Sequence, residues 1–270
     1  MTLVTHLRRA LPAMLTFLSG MTLSGCDSTG PAQSGSLAIS VTTRRLGVSP
    51  SSSRDVVIGT GPNSLKITKV EFVLAETELS QASACSNDDE EDDDCDEIEL
   101  DPILVDLPLG ASPPMKVIDA LVPAGTYTRL EAKLRAVKKG SDDDENGAAK
   151  FIAANPSWPS ELSVRVAGVY TDVGGLAHDF TFTSSTKSKL EMAFASPIKV
   201  DAHTENLTIT VDVARWFKDA AGNVLDPTST ANASLINTNI QRSFKAFKDN
   251  DRDAHDDDNE DEDEQGDDQG

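Results

Sequence analysis

The sequence predicts a mainly β protein: an antiparallel β-sandwich over residues 36–215, then a C-terminal amphipathic helix and a disordered acidic tail. Three observations predict this. Short runs alternate apolar and polar residues with the period of a half-buried strand, as in Leu37-Ala38-Ile39-Ser40-Val41. Turns bearing Gly and Pro separate the runs. After Ala231 the period lengthens: Ile236, Ile240, Phe244 and Phe247 fall at i, i+4, i+8 and i+11, one face of a helix.

The first 25 residues have the parts of an export signal. Arg8 and Arg9 are its basic start, and Leu11 to Leu23 its apolar run. A run of 13 residues is short of the ~20 that a membrane-spanning helix needs. Small residues then precede Cys26. Leu23-Ser24-Gly25-Cys26 resembles the bacterial lipobox, which implies an acylated Cys26 as the mature N-terminus and a lipid anchor in the cell envelope. Inner and outer membrane both stay open. Asp27 resembles the inner-membrane retention signal of some enteric bacteria. Residues 26–35 then form a small, polar tether.

Strand follows strand through the sandwich. Residues 67–74 alternate and then turn apolar, 98–107 carry Pro102 as an edge or bulge mark, and 127–137 alternate at Leu130, Ala132, Leu134 and Ala136. Pro123-Ala124-Gly125 is a turn, and Tyr127 opens the strand after it. Residues 140–160 read as a polar junction, so the strands at 162–166, 180–183, 190–195 and 207–213 form either the second sheet of one sandwich or a second small sandwich. Gly174-Gly175 marks a hairpin. Residues 216–248 make up the helical extension and 249–270 the acidic tail; Arg242, Lys245 and Lys248 suit the negative end of a helix dipole.

The early strand, the Lys66-Ile67-Thr68-Lys69-Val70-Glu71-Phe72 strand, the acidic insert and the Pro-Ala-Gly-x-Tyr turn resemble an uncharacterised β-sandwich family of bacterial lipoproteins. The resemblance covers about residues 36–140. It implies a fold and no catalytic residues.

Charge is unevenly spread. Without its signal the chain carries −23, of which residues 88–97 hold −9 and residues 249–270 hold −12, leaving a body near −2. Phosphate contacts need clustered Lys and Arg, so nucleic acid is not an expected partner. Divalent cations and basic surfaces are. Cys85 and Cys95 bracket the first acidic cluster, and a disulfide between them would contribute roughly 3 kcal/mol in an oxidising compartment. The other reading is two free thiols.

No catalytic motif is present: the sequence holds no G-x-S-x-G, H-E-x-x-H, Walker loop or C-x-x-C. The expected function is therefore a non-catalytic binding or structural module. The alternative is a hydrolase whose site is assembled by the fold, with two carboxylates in a pocket or a carboxylate beside His178 or His203. The best chemical signal lies in the tail. Asp249, Asp251, Asp253 and Glu260 match positions 1, 3, 5 and 12 of an EF-hand loop, whose alternate carboxylates converge on one calcium ion. Ala254 stands where that loop has Gly, and Asp256 where it has an apolar residue. A specific calcium site and diffuse cation attraction both stay open.

Overall fold

One strand organises the molecule. β3 (Ser64–Gln81) has 18 residues, about 60 Å of extended chain, long enough to be shared by several partners. The computed structural model describes residues 34–43, 55–81, 97–110, 112–139, 145–201 and 204–257. Along its first half β3 pairs with β8 (Val164–Thr171) and β2 (Val56–Ile58). Along its second half it pairs with β7 (Gly125–Leu134) and β4 (Glu97–Leu100), and at its middle with β5 (Ile103–Asp106). β9 (Ala177–Ser184) and β10 (Ser188–Val200) extend this sheet beyond β8 and β7.

A second sheet of four strands lies opposite among the described residues. Its order is β12 (Phe244–Lys248), β11 (Thr204–Val211), β1 (Ser34–Thr43), β6 (Met115–Pro123). The pairings are antiparallel as expected except one: β1 and β11 run parallel. Parallel neighbours need a long crossover, and here the chain between them builds the larger sheet. Leu37, Ile39 and Val41 of β1 and Leu207, Ile209 and Val211 of β11 meet Phe72, Leu74, Leu79 and Leu130 in one buried core. That shared core makes the two sheets a sandwich.

Two local features depart from the sequence reading. The junction at 140–160 contains α1 (Glu145–Ala154), whose Ala148 and Phe151 pack with Trp158 on Val73 and Ala75. β3 is therefore buried on both faces here, which explains why its alternation gives way to a continuous apolar run. Further on, α2 (Val213–Trp216) and α3 (Ala233–Gln241) form, but the helix expected to run to residue 248 ends at Gln241. Ser243 takes the Trp216 indole N–H at 2.6 Å and donates to the Ile240 carbonyl at 2.7 Å, so the last turn is closed by a side chain. Residues 244–248 are then strand β12 on β11. Phe244 turns inward, edge-on to Phe72 at 5.4 Å, and Phe247 turns outward.

Beside this second small core, the outer face of the larger sheet carries ion pairs. Glu71, Glu76 and Glu131 have side chains only 4–8% exposed, and each is met by two cations: Arg165 and Lys69, Lys133 and Arg135, Arg129 and Lys189. Burial is the largest single influence on Glu71 and Glu76 and would raise them. The bonds from their cations together outweigh it, so both titrate below the usual carboxylate range.

Candidate cation-binding loop

The site begins with the polar outer face of the four-stranded sheet. On β1 and β11 the residues between the core positions are Ser40, Thr42, Asn206, Thr208 and Thr210, and all are buried. Polar side chains buried on a sheet need partners, and the residues after β12 supply them. The Asn206 side chain donates to the Asp249 carbonyl at 2.6 Å and accepts from the Ser40 hydroxyl at 2.9 Å. Its backbone N–H donates to the Asn250 side chain, which in turn donates to Glu205. The chain is thereby fastened to the sheet as it leaves β12.

From Asp249 to Asp257 the backbone winds around one carboxylate. Asp249 is fully buried, and its two oxygens accept the N–H groups of Asp253 (2.9 Å) and Ala254 (3.2 Å). Asp251 also accepts from the Asp253 N–H, and Asp253 from the His255 N–H. Asp257 closes the loop: its carboxylate accepts from Asn250 N–H at 2.9 Å and its own N–H donates to Lys248. Arg252 and Ala254 adopt left-handed backbone, with φ of 62° and 72°. Such angles cost a non-glycine residue energy, and the web of bonds to Asp249 holds them.

This winding brings the carboxylates of Asp249, Asp251 and Asp257 within 4.8 Å of one another. Burial pushes the Asp249 carboxyl above its ordinary range, against the opposing bonds from Thr208, Ala254 and Asp253. Three carboxylates, one of them desolvated, gather here the hard oxygen atoms that divalent cations take as ligands.

Of the four residues expected to hold an ion, Asp249 and Asp251 are brought together. Asp253 stands outside that trio and caps the loop backbone instead. Glu260 lies outside the described residues. Asp257 was not among the expected ligands, although it stands at the ninth position of the loop, where EF-hands often bind through water. The tail expected to be disordered from residue 249 instead opens with this wound loop, and the part beyond 257 lies outside the described residues.

The other expected sites fare differently. Cys26, Cys85, Cys95 and His203 lie outside the described residues. His178 pairs with Asp172 at 3.1 Å, on the exposed β8–β9 hairpin. Asp172 also accepts from the N–H groups of Gly174 and Leu176, so the pair shapes a turn. Gly174-Gly175 does stand in the turn between the two strands, with Gly175 at φ 83°.

No family model matches the chain, and neither does any curated protein. Among solved structures it is similar to MbnP from Methylosinus trichosporium. The identity is 10%, the TM-score is 0.38, and the likeness covers 73% of this chain and 81% of that one.

Proposed function

We propose that this protein is a lipid-anchored, non-catalytic binding module of the bacterial envelope, in which the loop from Asp249 to Asp257 holds a calcium ion. The observation that supports the ion is the gathering of the Asp249, Asp251 and Asp257 carboxylates within 4.8 Å around a buried group. Like charges this close repel, and a divalent cation relieves both the repulsion and the cost of burying Asp249. The proposed role of the ion is to lock the chain after β12 onto the sheet. The lipobox-like Leu23-Ser24-Gly25-Cys26 supports the anchor, and the absence of a catalytic motif supports a binding role. Membership of the uncharacterised lipoprotein β-sandwich family is part of the same proposal, as is a Cys85–Cys95 disulfide.

Calorimetry on the mature protein tests the ion. A saturable one-to-one calcium isotherm that survives moderate salt and disappears in Asp249→Ala or Asp257→Asn supports a site. Heat that fades with sodium chloride and ignores both substitutions makes the segment a plain polyanion. The anchor is tested separately. Cys26→Ala should leave unprocessed or soluble protein, and a variant of normal size that still partitions with membranes would sink that part.

A further inference from the structure

A cavity of about 700 Å³ opens beside the loop, between its outer arm, the threonines at the end of β1 and β11, and β12. That volume lies within the range of small-molecule sites. Its chemistry is balanced. Lys245 and Arg252 share its lining with Asp253 and Asp256, so the fixed charges of the lining cancel, and His255 and Thr210 add further polar groups. Phe247, turned outward from β12, joins Pro113 and Pro114 as an apolar wall. In a chain of net charge −21, this is a locally neutral surface rich in both donors and acceptors.

We infer that this cavity binds a neutral saccharide. A ligand carrying one charge would meet an equal and opposite fixed charge for each attraction, and so gains little net Coulomb energy. A polyhydroxylated ligand gains from both signs. Each of its hydroxyls is at once donor and acceptor, and can bond both to a carboxylate and to an ammonium or guanidinium. The C–H face of a sugar ring covers an aromatic surface, the part Phe247 supplies. The floor is fixed, because Thr42 and Thr210 are almost fully buried in the sheet. The outer wall is the loop itself, held in shape through Asp249. The inference rests on the reading of the molecule as a binding module and adds its ligand class.

The test uses the mature protein in a zwitterionic, sugar-free detergent. Saturation-transfer NMR is recorded with maltose and with N,N′-diacetylchitobiose, in calcium and in EDTA, with glucuronate as the anionic comparison. At least one neutral disaccharide should bind saturably in the millimolar range, more tightly than glucuronate. Phe247→Ala and Arg252→Gln should each weaken it about tenfold, the loss of one good contact. Arg252 is exposed, so Arg252→Gln decides the matter if Phe247→Ala fails to fold. No saturable binding of either neutral sugar overturns the inference. So does tighter binding of glucuronate, or binding indifferent to Arg252→Gln. A calcium isotherm without sugar binding sinks this inference alone, whereas sugar binding without a calcium isotherm sinks only the cation assignment.

Discussion

The side-chain amide of Asn206 donates to the backbone carbonyl of Asp249 at 2.6 Å, so one buried residue of β11 fastens the acidic loop to the sheet. The same side chain accepts from Ser40, and its second amide bond reaches Thr208 at 3.3 Å. Asn206→Leu keeps the size but leaves the Ser40 hydroxyl and the Asp249 carbonyl without this partner. Each orphaned buried group costs about 1–3 kcal/mol, so the variant should lose about 2–6 kcal/mol in urea unfolding. Calcium affinity should fall with it. A variant as stable as the parent would mean that the loop is not docked on β11.

The sandwich was readable because its core positions alternate, as on β8, where Val164, Val166 and Tyr170 are buried between more exposed neighbours. What escaped were places where a contact made elsewhere decides the local form. Phe244 and Phe247 lie three apart, a spacing that fits a helix face. On a strand the same spacing sends them to opposite faces, and only the packing of Phe244 on Phe72 reveals which applies. The acidic loop was half readable for a related reason. Alternate Asp residues near Asp249 are visible in sequence, but the fold-back that brings Asp257 to Asp251 depends on the hydrogen bond from Asn250. Helix α1 was hidden in a polar junction because its apolar packing among the described residues comes from Ala148, Phe151 and Ile152, too short a pattern to stand out.

The Phe72–Phe244 contact tests the strand assignment directly. Edge-to-face pairs contribute about 0.5–1.5 kcal/mol beyond area burial. A double-mutant cycle with Phe72→Leu and Phe244→Leu should therefore give a coupling in that range. Purely additive effects would mean that residues 244–248 are not paired on β11 over the core.

Glu76 should give the fold an acid limb. Burial would raise its pKa, but Lys133 and Arg135 together bring it below the unfolded value. A carboxyl depressed on folding contributes stability that is complete above its unfolded pKa, and that contribution is lost as pH falls through the lowered folded value. Glu76→Gln should cost about 1–3 kcal/mol at neutral pH, with Lys133 partly exposed to water and so partly screened. The difference from the parent protein should shrink as pH drops below about 4. Urea midpoints measured from pH 7 to pH 3 check this, and a gap that widens toward acid would reverse the sign of the argument.

Ala254 offers the sharpest test of the loop, because the two effects of replacing it with glycine oppose each other. Its φ of 72° lies in the left-handed region, which costs a residue with a Cβ about 1–2 kcal/mol and glycine almost nothing. Glycine also frees the unfolded chain, which costs about 0.4–1 kcal/mol of stability. The strain is the larger quantity, so Ala254→Gly should stabilise the protein by about 0.5–1 kcal/mol. The Ala254 N–H that donates to Asp249 is kept in the variant, so the carboxylate trio should stay in place. Calcium binding should tighten by a few-fold, because less of the binding free energy is spent holding the turn. Ala246→Gly, in the extended backbone of β12, is the control: strain is absent there, so it should destabilise. If Ala254→Gly also destabilises, the turn is not left-handed at residue 254, and the loop does not wrap Asp249 as described.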